Sequence, residues 1–215
     1  EIVDTSLKIA QENGFVDISS KSELKVGDKV YFVNRCKNLF LAVIGEDSME
    51  NGINIIGAHA DSPRLDLKPN PLYQSGNMAF LNTHYYGGIK KYQWTTIPLA
   101  IHGVIFTKSG EKITVKIGED DSDPVFVITD LLPHLAKDQA SKKLSEAIPG
   151  EKLDLAIGNI PAVKDNGEEE KDAVKLNILR ILNKKYEITE EDFISSELEI
   201  VPAFKARSAG FDESM

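Results

Sequence analysis

With a single cysteine, Cys36, the chain cannot close an internal disulfide, which excludes a small scaffold stapled by several bridges. No apolar run approaches the ~20 residues that a membrane-spanning helix needs. Positive charge is in short supply: 25 Lys and Arg stand against 34 Asp and Glu, a formal charge of -9. That deficit argues against sequence-independent binding to nucleic acid, which rests on cations neutralising phosphates, and against adhesion to anionic membranes. Gly (15) and Pro (9) are too few for a fibrous or low-complexity chain. What remains is the composition of an ordinary globular protein, 41% apolar and 27% charged, whose 215 residues hold one or two domains. Cys36 lies beside a strand-like run and reads as a buried spectator. One unpaired thiol suits a reducing compartment, so a cytoplasmic location is expected.

Along the chain, Glu1 to Asn13 reads as a helix with Ile2, Ile9 and Ala10 at helical spacing and Gly14 at its C-cap. Its uncapped start, and a mixed final segment from Phe204 to Met215, give both ends the look of cuts. Lys29 to Asn34 and Leu39 to Ile44 flank a short Arg-Cys-Lys-Asn connection as a hairpin. Ile53 to His59 is short, mostly apolar and bounded by turn residues, as expected of a strand buried on both faces of an α/β sheet, with His59 at its carboxyl end. Ligands of open α/β sheets gather at such ends. From Pro98 the pattern becomes β-rich. Pro98 to Thr107 and Glu111 to Ile117 form a second hairpin, and Val125 to Ile128 and Leu153 to Ile157 read as strands. The acidic stretch 165–170 leads into a helix whose apolar face carries Val174, Ile178, Ile181 and Leu182. Thr189 and Asp192 resemble a capping pair, and Glu197 to Val201 reads as a strand returning the chain to the first layer.

Chemistry concentrates at His59-Ala60-Asp61. Residues two apart on extended backbone share a face, so the imidazole and carboxylate can converge, and zinc sites use such pairs as ligand and orienting group. On spacing alone, a strand-end histidine followed by a turn-forming Asp-Ser-Pro competes with that reading. His84 lies among aromatics beside Gly87-Gly88 and is as readily packed as functional. His134 follows Pro133 at a helix start and reads as structural, and His102 in an apolar strand reads as a core or interface residue. No Gly-x-Ser-x-Gly elbow or phosphate-binding glycine loop occurs, so nothing supports a serine nucleophile or a nucleotide site.

Four segments, in order, resemble the M18 aminopeptidases: Ile56-Gly57-Ala58-His59-Ala60-Asp61-Ser62-Pro63-Arg64-Leu65, Thr83-His84-Tyr85-Tyr86-Gly87-Gly88-Ile89-Lys90-Lys91-Tyr92-Gln93-Trp94, Pro133-His134-Leu135-Ala136 and Glu197-Leu198-Glu199-Ile200-Val201-Pro202-Ala203. The resemblance runs over nearly the whole chain while covering the front part of the family's length. It implies an α/β fold: a zinc-exopeptidase catalytic domain, incomplete within this chain, with an inserted β-rich dimerisation domain. The corresponding boundaries are 1–94 for the first catalytic part, 95–196 for the insert and 197–215 where the catalytic domain resumes. His59 maps to a zinc ligand, Asp61 to its supporting carboxylate, and His134 to a metal- or substrate-site residue reached from the insert. The bridging aspartate, the glutamate base with its neighbouring ligand, and the later Asp and His ligands have no counterpart before Met215. Phe204 stands where the family commonly has Gly, and Ser208 and Glu213 where Asp and Arg are common.

The implied activity is removal of N-terminal residues from peptides by water activated at two zinc ions, in a homo-oligomer built from dimers, with acidic Asp or Glu favoured at the substrate's N-terminus. His84, Lys90, Lys91 and Arg64 are the candidates for the substrate site, the three cations being suited to an acidic side chain. The competing expectations are that this chain by itself is a non-catalytic assembly module, or that it belongs to another peptidase of the same clan.

Overall fold

A computed structural model describes residues 2–163 and 171–215; the acidic stretch at 165–170 lies outside the described residues. The elements are α1 (Ile2–Glu12), β1 (Val16–Asp17), β2 (Lys29–Asn34), β3 (Asn38–Val43), β4 (Arg64–Ser75), β5 (Met78–Tyr86), β6 (Leu99–Phe106), β7 (Lys112–Ile117), α2 (Lys137–Ala140), α3 (Leu144–Ala147), β8 (Leu155–Gly158), α4 (Ala173–Tyr186) and β9 (Ser196–Pro202). They form a mixed α/β structure in two compact units, Glu1–Ser62 and Pro63–Met215. Among the described residues no helix is long and apolar enough to cross a membrane.

The first unit holds α1 and a three-stranded sheet in the order β1-β2-β3. β2 and β3 make the expected antiparallel hairpin, with Phe32 opposite Phe40 and Tyr31 opposite Leu41. Its turn departs from expectation, because Arg35 and Cys36 both take positive φ (52° and 57°). Side chains at such a turn point away from the sheet, so Cys36 is exposed and not buried. On α1 the buried residues are Val3 and Ala10, whereas Ile2 and Ile9 are exposed, so the inward stripe is rotated by about one position from the expected one. The expected strand at Ile53 to His59 does not form. Residues 53–63 carry no regular secondary structure, and Ile55 and Ile56 are 79% and 100% exposed. A strand exists only when a neighbour satisfies its N–H and C=O groups, and no described strand pairs with this run.

The second unit is a six-stranded sheet in the order β7-β6-β9-β4-β5-β8, every described pair antiparallel. Alternation along each strand divides its two faces. On one face Ile117, Ile101, Ile200 and Leu65 stand side by side in register and are buried. Leu99, Ile105, Ile128, Leu153 and Leu155 complete this core. Over it packs α4, with Val174 buried and Ile178 and Leu182 half-buried, while Ile181 faces out. The start of α4 lacks a side-chain cap of its own, and Gln74 of β4 supplies one, its Oε1 accepting from the N–H groups of Val174 (2.9 Å) and Lys175 (3.0 Å).

The return strand β9 does not leave for another layer; it lies inside this sheet, hydrogen-bonded to β6 on one side and β4 on the other. The division of the chain therefore falls at Ser62/Pro63, and the expected boundary at 94/95 lies within the second unit, because β4 and β5 belong to the same sheet as the β-rich middle.

The capping pair is present, with Asp192 buried. Asp192 Oδ2 accepts from the Thr189 N–H (2.8 Å) and hydroxyl (2.7 Å), and its Oδ1 accepts from the Lys108 N–H (3.2 Å). These bonds, the Thr189 backbone donor first, hold its carboxyl below the usual carboxylate range. Because the folded value is depressed, the stabilisation is fully present above about pH 4, the unfolded value, and is lost as pH falls through the folded one. Asp192→Ala is expected to cost about 1–2 kcal/mol at pH 7 and less at pH 3, as read by urea unfolding at both pH values. An equal cost at the two would remove the carboxylate from this account.

Candidate metal centre

His59 and Asp61 belong to the first unit and sit in the irregular segment before β4. The His59 Nδ1 lies 2.9 Å from the backbone carbonyl oxygen of Asp61 and 3.4 Å from Asp61 Oδ1. A carbonyl oxygen can only accept, so Nδ1 is the donor. In the neutral ring the proton then resides on Nδ1, leaving the Nε2 lone pair for a metal. This is how a metal-binding imidazole is commonly oriented, by a main-chain carbonyl or carboxylate on the far nitrogen. The His59 side chain is 86% exposed, so Nε2 is accessible.

Zinc takes three or four protein ligands. Among the described residues no three His, Cys, Asp or Glu side chains gather as a metal-binding group. The residues present therefore fit zinc as one ligand and its orienting group, and they do not fit a closed coordination sphere.

His134 belongs to the second unit, in an exposed turn closed by the Leu135 N–H on the Leu132 carbonyl (2.8 Å). The expected helix start lies slightly later, at Lys137. Leu131, Leu132 and Leu135 around this histidine are all exposed. His84 lies near the end of β5, stacked on Tyr85 at 5.3 Å, with Lys91 Nζ 5.7 Å from the Tyr85 ring centre. Lys90 and Lys91, with Ile89, Tyr92, Leu144 and Ser145, line a shallow groove of about 460 Å³. These two cations and His84 thus occupy one region of the second unit.

Arg64 is engaged within the sheet. Its Nε donates to Asp66 Oδ1 (2.8 Å), lies 3.1 Å from Glu199 Oε1, and its guanidinium covers the Tyr86 ring at 4.1 Å. Burial opposes its charge, but the hydrogen bond to Asp66 and the charge of Glu199 outweigh it and push the guanidinium pKa up. Its Nε edge is spent inside the fold.

The same face carries a row that the strand pattern alone did not single out. Lys116, His102, Glu199, Asp66 and His84 are cross-strand neighbours through β7, β6, β9, β4 and β5. His102 therefore stands on the polar face, not in the core, with Nε2 2.9 Å from Glu119 Oε1 in an approach that is too oblique for a hydrogen bond. The signal was available in the even positions of β4 and the odd positions of β9, but only the register joins them.

The whole chain, residues 1–215, matches the family described as aminopeptidase I zinc metalloprotease (M18). A protein of Clostridium acetobutylicum described as a probable M18 family aminopeptidase 1 is 57% identical over 219 residues, covering 100% of this chain and 46% of its own. The crystal structure of an M18-family aminopeptidase from Thermotoga maritima superposes with a TM-score of 0.86 at 48% identity, covering 99% of this chain and 46% of that one. That of aminopeptidase I from Clostridium acetobutylicum does so with a TM-score of 0.85 at 51% identity, covering 100% and 47%. The chain spans about half the length of the relatives it matches. Matched from its first residue to its last, the chain belongs to the M18 family of zinc metalloprotease aminopeptidases.

Proposed function

We propose that the full-length protein is a zinc-dependent aminopeptidase that takes peptides with a free N-terminus, and that this chain supplies the first metal ligand, His59. The observation that carries the reading is the orientation of His59: Nδ1 is tied to Asp61 and Nε2 is left accessible. Bound zinc, two ions in this reading, supplies Lewis-acid activation of a water. Asp61 holds the imidazole in its ligating tautomer. Lys90 and Lys91 are the proposed cations for an acidic N-terminal side chain, whereas Arg64, already engaged by Asp66 and Glu199, is withdrawn from that role. By itself the chain is proposed to be inactive, since one imidazole and one orienting carboxylate do not make a hydrolytic metal site.

Homo-oligomerisation through the second unit, with the exposed leucines around His134 at the contact, is part of the same reading, supported by the size of that apolar group. So is a cytoplasmic setting, supported by the single exposed and unpaired Cys36.

The test is release of the N-terminal residue by the full-length protein from peptides beginning with Asp, Glu, Leu or Lys. Activity is expected to favour Asp and Glu, to vanish on chelation and to return with zinc, while the 215-residue chain gives none. Chelator-insensitive release would overturn the metal reading. Equal rates on all four peptides would remove Lys90 and Lys91 from substrate selection.

A further inference from the structure

Asparagine followed by glycine is the least hindered setting for attack of a main-chain nitrogen on a side-chain carboxamide, because glycine has no Cβ to crowd the ring that forms. The chain has three such pairs, Asn13-Gly14, Asn51-Gly52 and Asn166-Gly167, of which the last lies outside the described residues. The other two are both exposed, and both glycines take positive φ (83° and 108°). Both glycine N–H groups donate to a carbonyl three residues back, Gly14 to Gln11 (3.0 Å) and Gly52 to Met49 (3.1 Å). Neither exposure nor the attacking nitrogen therefore separates the two pairs. The carboxamides do. Asn13, just past the end of α1, donates from Nδ2 to the Ile9 carbonyl at 2.8 Å, and its own carbonyl accepts from Lys29 Nζ (3.2 Å). To reach the Gly14 nitrogen, that carboxamide must leave its partner and the helix end must open. The Asn51 carboxamide makes no hydrogen bond among the described residues. It stands at the end of a single 3-10 turn, Met49–Asn51, held by Ser48, whose Oγ accepts from the Glu50 N–H (3.3 Å) and whose carbonyl accepts from the Asn51 N–H (2.9 Å). One exposed turn of this kind opens at little cost.

We propose that Asn51 is a self-modification site, at which the chain converts its own carboxamide to aspartate and isoaspartate with water as the only co-reactant. The Gly52 nitrogen attacks Asn51 Cγ. The new N–C bond closes a five-membered imide, the amide proton passes to water, and Nδ2 leaves as ammonia. Water then adds to one imide carbonyl and the bond from that carbon to nitrogen breaks. Opening at Cγ restores the original main chain with an aspartate. Opening at the main-chain carbonyl gives isoaspartate, in which the chain runs through the side-chain carbon and is one methylene longer. No electrons are transferred, so no oxidant is required. Either product adds a negative charge to the connection between β3 and His59. The proposal is independent of the aminopeptidase reading.

The experiment incubates the full-length protein in mildly alkaline buffer and follows the peptides that carry Asn13 and Asn51 by tandem mass spectrometry, with fragmentation that separates aspartyl from isoaspartyl products. In the native protein Asn51 is expected to react at least about fivefold faster than Asn13, the factor that one carboxamide hydrogen bond and the opening of a helix end impose. In concentrated urea both are Asn-Gly pairs on an open chain, and their rates are expected to agree within about twofold. Asn51→Gln, whose longer side chain would have to close a six-membered ring, is expected to abolish the reaction at 51 and leave the rate at Asn13 unchanged. An intact Asn51 throughout, or a native ratio near one or reversed, would overturn the proposal. A ratio that persists unchanged in urea would assign the difference to local sequence and not to the fold, and overturns it too. Continued gain of charge in the corresponding peptide of Asn51→Gln would place the reaction at another residue.

Discussion

His59→Ala in the full-length protein is expected to remove bound zinc and lower peptide hydrolysis by at least about a thousandfold, with native mass unchanged. The reasoning runs through one nitrogen. Nδ1 is committed to the Asp61 carbonyl, so whatever His59 gives to a metal it gives through Nε2, and alanine has no substitute. Asp61→Asn is the graded companion. The main-chain carbonyl at 2.9 Å remains while the carboxylate at 3.4 Å loses its charge, so a fall of about 10- to 100-fold is expected in zinc affinity or activity. Metal content, initial rate and sedimentation should be read on one preparation. Unchanged zinc stoichiometry in His59→Ala would make that histidine structural. Loss of assembly together with zinc would show that the two are not separable as proposed.

The largest effect on stability is expected at Gly103, in the middle of β6 between β7 and β9. Its φ is +140°, and a Cβ there would stand 1.9 Å from the Glu197 carbonyl oxygen and 2.9 Å from its carbon. Both obstacles are backbone, so no rotamer change relieves them. Gly103→Ala must therefore bend β6, move β9 or carry the strain, at about 3 kcal/mol or more. For a chain of this size that lowers the melting temperature by roughly 6–12 °C. Gly88→Ala is the control, since nothing lies within 4 Å of its Cβ position and its φ is ordinary. Equal melting temperatures for the two variants would mean that β6 and β9 adjust at no cost, contrary to the packing of Leu198 and Ile200 at that crossing.

Features decided by near neighbours were legible in the sequence. The β2–β3 and β6–β7 hairpins follow from alternation on either side of short polar turns, and Thr189 with Asp192 from their spacing. The helix at α4 was legible for the same reason, its inward residues recurring with the helical period. The segment Ile53 to His59 has strand composition, yet a strand is completed by a partner's main chain, which composition does not report. The ion pairing of Arg64 was hidden for the same reason. Its Asp66 partner is two residues away, but Glu199 arrives from the other end of the unit through the β4–β9 register. The placement of β4 and β5 in one sheet with the β-rich middle was hidden too, since the strands that join them, β9 and β8, come late in the chain. At the candidate site, His59 and Asp61 were readable from a two-residue spacing, whereas the identity of the nitrogen left for a metal required the position of a carbonyl.

The meeting of Arg64 with Asp66 and Glu199 limits how this sheet can change over generations. Asp66 and Glu199 are directly opposed across β4 and β9, and the guanidinium between them is what makes that opposition tolerable. A lineage that loses the arginine first inherits two facing carboxylates, whereas one that first exchanges either acid for a neutral residue can lose the arginine afterwards at little cost. The order of substitutions is therefore constrained, and related sequences lacking a cation at position 64 should lack an acid at 66 or 199 as well.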